Sequence, residues 1–276
     1  MTSLKTLRAA PRVPAQSTGE PAVQVRSLTK RFGRGPVILD DVSLDVAPGE
    51  FVCLLGASGC GKSTLLNLVA GLDKPTQGDV TVAGNRPALM FQEPALFPWL
   101  TAAQNIDLAL RLSTGKGGGG GGGKAARRTE VERLLELVRL EGAGGKRPHE
   151  LSGGMRQRVA LARALAQESG VLLMDEPFAA LDAITRDLLH DELTRVWQEV
   201  GLTIVFVTHN VREAVRLGQR VVLMSSRPGR IAREYPIDIA QPRRIEAPDV
   251  AELAVRITGD LSLEIRKHAQ PAGASA

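Results

Sequence analysis

A glycine-rich segment at residues 56–63, GASGCGKS, constrains the fold of this chain more than any other feature. It fits the pattern G-x-x-x-x-G-K-[ST] in full, follows the apolar run FVCLL and precedes the helical run STLLNLVAGL. In that context the glycines let backbone N–H groups turn inward around phosphates, and the helix N-terminus adds its positive dipole end. The segment therefore predicts a phosphate-binding loop. A chance glycine-rich turn is the alternative, and the flanking strand and helix argue against it.

The residues of this loop are all expected to contact nucleotide. They are Gly56, Ala57, Ser58, Gly59, Cys60, Gly61, Lys62, Ser63 and Thr64. Lys62 is expected to face solvent and to contact the β- and γ-phosphates, which makes it a candidate catalytic residue. Ser63 is expected to coordinate Mg²⁺ through its hydroxyl.

Apolar runs alternate with amphipathic helical patterns, which is typical of a parallel sheet covered by helices. The strongest predicted strands, at 171–174, 204–208 and 221–224, are almost continuously apolar, as strands buried on both faces are. The other predicted strands alternate more and favour an antiparallel flank. They are 23–25, 42–46, 51–55, 80–82 and 89–91. The expected fold class is therefore α/β.

No strong strand pattern occurs between about residues 94 and 170, so we expect an inserted helical subdomain there. Within it, residues 117–123 are an unbroken run of glycine. Each glycine costs up to about 1 kcal/mol relative to alanine in a helix, so a flexible loop is expected over residues 115–124. No function is assigned to it. The helix is expected to resume near Thr129, which has capping-box spacing with Glu132.

The main domain is expected to span residues 22–245. Residues 1–21 are predicted to be a disordered tail, although they weakly resemble a transit peptide. Residues 246–276 are predicted to form a C-terminal helix, with Asp249 as N-cap, and a tail. The apolar stripe of that helix consists of Val250, Leu253, Ala254, Ile257, Leu261 and Ile265.

Composition narrows the class of protein. The formal net charge of +5 fits a solvated basic surface, and proximity to an anionic membrane or to nucleic acid is also compatible with it. Cys53 lies in an apolar run that looks like core, and Cys60 lies in the glycine-rich loop. This usage suggests no disulfide framework or zinc site and fits a reducing cytoplasm. No secretory signal is expected, and no apolar run approaches the roughly 18 residues of a membrane span.

The predicted strand VLLMDE at residues 171–176 ends in two adjacent carboxylates. One carboxylate at a strand end can be a cap, whereas two beside a phosphate loop suit two separate roles, metal binding and activation of water. We expect Asp175 to hold Mg²⁺ through water and Glu176 to polarise the attacking water. Because Mg²⁺ keeps several waters and takes few protein ligands, Asp175 and Ser63 suffice.

The segment LSGGMRQ at residues 151–157 is compatible with an ordinary helix start, with Ser152 as N-cap. Its place before the carboxylate strand, together with Gln92 in MFQE and His209 in VTHN, distinguishes it. With these motifs the sequence resembles the nucleotide-binding subunits of ABC transporters over about residues 23–244. The resemblance implies a P-loop NTPase (RecA-like) core, ATP and Mg²⁺ as cofactors, and transport-coupled ATP hydrolysis.

The same resemblance implies roles for single residues. Gln92 links the γ-phosphate and the metal to the transporter interface, and His209 is the switch histidine, although a lone histidine is more often structural. Together with Lys62 and Glu176 they form the implied catalytic set. These four residues, Ser63 and Asp175 are expected to converge around one phosphate-sized site, because all lie on strand ends or loops at one edge of the sheet. Phe32 in KRFG matches the position where the family, more often with Tyr, stacks a ring on adenine; an ordinary core or surface Phe is the alternative. Asp182 matches the loop that crosses the dimer interface.

The implied assembly is a head-to-tail homodimer with two ATP between the subunits. Ser152, Gly153 and Gly154 of one subunit clamp the γ-phosphate held by Lys62 of the other. The dimer drives integral membrane permease subunits, which are separate polypeptides because this chain has no predicted span. The implied location is peripheral, at the cytoplasmic face of the inner membrane. The segment Phe97-Pro98-Trp99, in the loop just after Gln92, is expected to face the transporter; closing the helical subdomain's core with Trp99 is the alternative.

Three segments, MFQEPALFPWLT, LMSSRPGRI and the PRR at residues 242–244, resemble the branch that imports nitrate, taurine or aliphatic sulfonates. Importers of this branch use a periplasmic or surface solute-binding protein. Thiamine-precursor and bicarbonate importers are close competitors, because the ATPase does not touch the solute.

ABC-type ATPases that act on DNA or ribosomes are the alternative class. Those that resemble repair or chromosome proteins carry a long coiled-coil insertion, and those acting on ribosomes usually carry two cassettes. This chain has one cassette and no heptad run, so no nucleic-acid partner is expected. An inactive regulatory homologue is a third alternative, against which the intact Lys62, Glu176 and His209 argue.

Overall fold

The computed structural model describes residues 19–113 and 123–269. The strands in this part of the chain are β1 (Val23–Arg31), β2 (Val37–Val46), β3 (Phe51–Leu55), β4 (Gln77–Val82), β5 (Ala88–Met90), β6 (Val171–Asp175), β7 (Thr203–Thr208), β8 (Arg220–Met224) and β9 (Ile231–Pro236). The α-helices are α1 (Lys62–Val69), α2 (Ala102–Ser113), α3 (Lys124–Leu137), α4 (Gly153–Leu165), α5 (Ala183–Val200), α6 (Val211–Leu217) and α7 (Pro248–Ala269).

The strands form two sheets. The larger has the order β5-β6-β7-β3-β8-β9 and is parallel except for β9, which pairs antiparallel with β8 at one edge. The smaller has the order β2-β1-β4 and is antiparallel throughout. The expected α/β class with an antiparallel flank is confirmed. The strands β3 and β5, which the sequence analysis grouped with that flank, instead pair parallel in the larger sheet. β9 is a strand that the sequence analysis did not identify.

Two apolar cores lie on opposite faces of the larger sheet. Side chains alternate along β3, so that Phe51, Cys53 and Leu55 pack into the core under the helices while Val52 and Leu54 pack into the other. Helix α1 and the antiparallel sheet close this second core. Because α1 is held between the two sheets, the loop that joins β3 to α1 is fixed at both ends.

The described residues between 94 and 170 contain α2, α3, α4 and a short 3-10 turn (Pro148–Glu150), and no strand. Helix α3 begins at Lys124, so the expected start near Thr129 is wrong. Thr129 lies inside the helix, where its hydroxyl donates to the Ala125 carbonyl at 3.3 Å. The residues before it, KAARR, are strong helix formers and extend the helix backwards. Except for Gly123, the glycine run lies outside the described residues, as does nearly all of the N-terminal tail.

Helix α7 begins at Pro248, one residue before the expected cap. Proline suits a first helical turn, and Asp249 lies within that turn, where its carboxylate accepts the Val250 N–H at 2.9 Å. The predicted apolar stripe is buried as far as Ile257. Ile265 is 43% exposed, so the prediction that the stripe extends to this residue is wrong. In residues 19–113 and 123–269, no helix is both long and apolar enough to span a membrane.

Candidate functional site

The glycine-rich loop leaves the carboxyl end of the central strand β3, where open α/β sheets bind ligands. Gly59 and Gly61 have φ values of 76° and 105°, in the left-handed region that favours glycine. A Cβ on Gly61 would lie 2.6 Å from Cδ2 of the buried Leu39, so the loop also needs glycine there for space. The loop is thus wrapped tightly against β2.

Lys62 is 5% exposed, so the expectation that it faces solvent is wrong. As the first residue of α1, it folds back over the loop, and its ammonium donates to the carbonyl oxygens of Gly56 at 2.8 Å and Ala57 at 3.0 Å. Ammonium groups need such acceptors when they are buried. The charge is therefore held against the loop that is expected to bind phosphate.

Ser63 and Asp175 meet although they lie on different elements. The Ser63 hydroxyl donates to Oδ1 of Asp175, the last residue of β6, at 3.1 Å. Burial raises the pKa of the Asp175 carboxyl, and the hydrogen bond from Ser63 opposes that rise. A half-buried carboxylate beside a hydroxyl is an oxygen donor pair that fits Mg²⁺, which binds through few protein ligands.

Glu176 and His209 form a second pair at the ends of adjacent parallel strands. The Glu176 N–H donates to the Val207 carbonyl at 3.0 Å, so the pairing of β6 with β7 continues one residue beyond β6. The Glu176 carboxylate then lies 2.9 Å from Nδ1 of His209, which is exposed. Glu176 has a φ of 44°, a conformation that costs on the order of 1 kcal/mol outside glycine and that clusters at functional sites.

Gln92 is exposed and is anchored through its backbone. Its carbonyl accepts from Nε2 of Gln157 at 2.8 Å, and the same nitrogen donates to the carbonyl of Pro177, next to Glu176. The sequence analysis assigned no role to Gln157, although it ends LSGGMRQ. Its 2% exposure on an otherwise aliphatic face of α4 is the signal that identifies it.

The signature segment caps its own helix. The Ser152 hydroxyl accepts the Met155 N–H at 3.3 Å, and Ser152 itself is exposed. Cβ atoms on Gly153 and Gly154 would lie 3.2 Å and 2.6 Å from side-chain atoms of Leu181 and Thr185, so both glycines allow close packing against the Asp182 loop. Nothing in the described contacts joins Ser152 to the phosphate loop of its own chain.

Asp182 is the N-cap of α5, where its carboxylate accepts the Thr185 N–H at 2.9 Å. That hydrogen bond lowers the pKa of Asp182. Phe32 follows β1 and is 53% exposed, with the Lys30 ammonium 4.6 Å from its ring centroid. Phe32 is thus not a core residue.

The structure therefore brings together five of the expected residues: Lys62, Ser63, Asp175, Glu176 and His209. Gln92 was expected at the same place, but its described contact is a hydrogen bond from Gln157 to its backbone carbonyl and not a side-chain contact with these five. Phe32, Ser152 and Asp182 also lie outside this set of side-chain contacts. One further contact was not expected. The Arg227 guanidinium donates to the Gly59 carbonyl at 3.1 Å, and no local pattern in the sequence indicates it.

Comparisons with known proteins agree with this geometry. Residues 39–179 match the family described as ABC transporter. The aliphatic sulfonates import ATP-binding protein of Bacillus subtilis is 43% identical over 249 residues, which cover 87% of this chain and 94% of that protein. The nitrate import ATP-binding protein of Synechococcus elongatus is 45% identical over 216 residues, which cover 75% of this chain but 32% of that longer protein.

Among solved structures, a dimeric ATP-binding cassette in a post-hydrolysis state with ADP and Pi bound is 33% identical, with a TM-score of 0.67. The alignment covers 79% of this chain and all of that one. A phosphate loop with a buried lysine, and two polar pairs at the adjoining strand ends, are thus found in a chain that matches this family over most of its length. The chain belongs to the ABC transporter family, as an ATP-binding subunit with ATPase activity.

Proposed function

We propose that this chain hydrolyses Mg²⁺-ATP to power the uptake of a small solute, of the sulfonate, taurine or nitrate type, through separate permease subunits. The observation that carries the ATPase part is the placement of Ser63–Asp175 and Glu176–His209 beside the phosphate loop. The names of two relatives, one importing aliphatic sulfonates and one nitrate, support the import part. Neither name favours the alternative, an ABC-type ATPase that acts on DNA or ribosomes.

The chemistry follows from the residues at the strand ends. Lys62 exchanges its two loop carbonyls for the β- and γ-phosphate oxygens and offsets the charge of the transition state. Glu176 accepts a hydrogen bond from the attacking water and polarises it, and His209 orients the Glu176 carboxylate and contacts the γ-phosphate. Ser63, Asp175 and Gln92 would hold Mg²⁺, which when bound would neutralise part of the phosphate charge.

The proposed active unit is a head-to-tail homodimer. Ser152, Gly153 and Gly154 of one subunit complete the site of the other, and Asp182 lies beside them at the interface. The exposure of Ser152 supports this arrangement, because its hydroxyl hydrogen is not used by the helix cap. The dimeric cassette with ADP and Pi bound is a second support. The exposed ring of Phe32 would stack on adenine.

The proposed domain organisation assigns residues 22–245 to the ATPase domain, with α2, α3 and α4 as its inserted helical subdomain, and residues 246–276 to a C-terminal helix and tail. We place the subunit at the cytoplasmic face of the inner membrane, bound to permease subunits that receive solute from a binding protein.

Phe97 and Trp99 form the surface that we propose for permease docking. Trp99 is 67% exposed, so it does not close the core of the helical region, and its ring centroid lies 5.5 Å from that of Phe97. Beside them is a cavity of about 520 Å³ lined by Phe97 among others. An exposed aromatic pair of this kind, in a loop directly after Gln92, is typical of an interface anchor.

We expect Trp99→Ala to lower solute uptake at least about tenfold while leaving ATP binding unchanged, because it removes a docking anchor and no nucleotide contact. The measurement is uptake of labelled aliphatic sulfonate, taurine and nitrate by cells that express the chain with its own permease, alongside ATP binding by the purified subunit. Val255→Ala, which truncates an apolar side chain that is 73% exposed on α7, is the control and is expected to change neither. Wild-type uptake of none of these solutes would contradict the substrate proposal, and weak ATP binding by Trp99→Ala would contradict the docking role.

Asp175→Asn is expected to stabilise the ligand-free subunit and to weaken its binding of Mg²⁺-ATP. Because burial raises the pKa of Asp175, the folded state loses stability as the pH rises from the ordinary carboxyl range through that raised pKa, whereas asparagine is never ionised. The gain in Tm is therefore expected at pH 7 and should disappear as the pH falls into the ordinary carboxyl range. Thermal unfolding with and without Mg²⁺-ATP checks both effects; a lower Tm at pH 7 in the ligand-free variant would contradict this account.

A further inference from the structure

A buried polar cluster lies behind the catalytic pair, and the mechanism above does not use it. It consists of Thr208, Glu213 and His190, which are 2%, 7% and 2% exposed. Oε1 of Glu213 lies 2.7 Å from Nε2 of His190, and the Thr208 hydroxyl donates to the other Glu213 oxygen. Thr208 Oγ1 also accepts the Asn210 N–H at 2.9 Å. Hydrogen bonds thus run from α5, through α6, to the two residues that flank His209.

A small cavity of about 40 Å³ joins this cluster to the catalytic pair. Glu176 and His209 line it together with Thr208 and Glu213. Two carboxylates on the walls of one cavity repel each other, and hydrogen bonds that stabilise each charge offset part of that cost. Here Glu213 is held by Thr208 and His190, which leaves Glu176 to its contact with His209.

Filling this part of the core with polar side chains lowers the stability of the folded state. Burying a carboxylate costs stability unless it is fully paired, and apolar residues of similar volume often serve a core better. His190 is only weakly satisfied at its other nitrogen: Nδ1 makes no hydrogen bond in the described part of the chain, and Oδ1 of Asp187 lies 3.8 Å from it, beyond hydrogen-bond distance. The His190 ring packs 5.6 Å from that of Phe178. At one end of this cluster, Thr208 is hydrogen-bonded to Glu213 and Asn210, and Thr208, His209 and Asn210 form the segment that we call the His209 loop. A cluster that lowers stability and is bonded to this loop points to a role in fixing the loop in place.

We propose that Thr208, Glu213 and His190 are positioning residues that fix the His209 loop, so that the His209 ring stays within hydrogen-bond distance of Glu176. The proposal rests on the proposed function of that pair. It also joins His209 to α5, the helix that Asp182 caps, and so gives the dimer interface a hydrogen-bonded connection to the catalytic carboxylate.

Thr208→Val removes the hydroxyl at nearly constant volume and breaks the bonds to Glu213 and Asn210. Since small misplacements of catalytic groups are costly, we expect kcat for ATP to fall by about 10- to 100-fold while KM changes less than about twofold. Thr208→Ser keeps the hydroxyl and should return kcat to within about threefold of wild type. In a His209→Ala background, Thr208→Val should cause little further loss, because its effect acts through His209.

The chain offers a matched control on the same strand. Thr203, at the other end of β7, is also buried, and its hydroxyl accepts the Gly49 N–H at 2.9 Å. Thr203→Val removes an equivalent group far from the His209 loop and is expected to leave kcat unchanged. Thermal unfolding of each variant separates a loss of fold from a loss of rate.

The outcomes of these measurements distinguish a failure of the positioning proposal from a failure of the proposed function. If Thr208→Val keeps wild-type kcat while His209→Ala loses hydrolysis, the positioning proposal is overturned and the proposed function stands. If the two valine variants lose kcat equally, or Thr208→Ser recovers nothing, the proposal is also overturned. Full hydrolysis by both Glu176→Gln and His209→Ala would instead overturn the proposed function.

Discussion

Glu176→Gln is expected to lower the rate of ATP hydrolysis by about 10²- to 10⁴-fold and to leave ATP binding intact. Glutamine has the length of glutamate and keeps a carbonyl oxygen near His209, so the geometry of the 2.9 Å contact can persist. It lacks the negative charge that polarises the attacking water. Phosphate release under saturating Mg²⁺-ATP and equilibrium binding of ATP measure the two effects separately.

The control for this variant is Glu199→Gln on α5, whose carboxylate is 56% exposed and pairs with Arg195 on the surface. It removes the same charge from a place with no proposed role, and hydrolysis is expected to stay at the wild-type rate. If Glu176→Gln hydrolyses ATP at more than about a tenth of that rate, Glu176 is not the group that activates water.

Lys62→Ala is expected to abolish productive binding of the phosphates and to lower hydrolysis by at least about 10²-fold, because it removes the cation that offsets their charge. It has a structural cost as well. The ammonium donates to the carbonyls of Gly56 and Ala57, and two lost hydrogen bonds of this kind are worth about 1 kcal/mol each. A Tm lowered by a few degrees is therefore expected, with the fold retained.

Two controls separate the cation from the rest of the side chain. Lys62→Met keeps much of the buried stem and should lose hydrolysis to the same extent, while Lys267→Ala removes an exposed lysine from α7 and should change nothing. Hydrolysis near the wild-type rate in folded Lys62→Ala would show that this loop does not bind the phosphates.

The parts of the site that the sequence predicted are those carried by local order along the chain. A strand, a glycine-rich loop and a helix in succession predict the phosphate loop, and carboxylates at the end of a buried strand predict the edge at which Asp175 and Glu176 lie. Parallel pairing of β6 with β7 then brings His209 beside Glu176 with no further information. The α/β class with its antiparallel flank was predictable from the same alternation.

The parts that the sequence did not predict depend on contacts between residues distant along the chain. Gln157 bonds the Gln92 carbonyl across 65 positions, and His190 bonds Glu213 across 23. Such partners leave no periodic signal. Two local predictions failed for other reasons. The burial of Lys62 was missed because the loop motif does not show that its ammonium folds back onto carbonyls of the same loop. The start of α3 was missed because helix propensity outweighed a cap pattern at Thr129.

The head-to-tail arrangement of two subunits around ATP is the central claim, and the mass of Glu176→Gln in solution tests it most directly. With Mg²⁺-ATP this variant is expected to accumulate as a dimer, measured by size-exclusion chromatography with light scattering, because ATP binds and is not consumed. Adding Ser152→Arg, which places bulk and charge in the clamp, should leave a folded monomer that still binds ATP. An ATP-dependent dimer of the double variant equal to that of Glu176→Gln would contradict the arrangement.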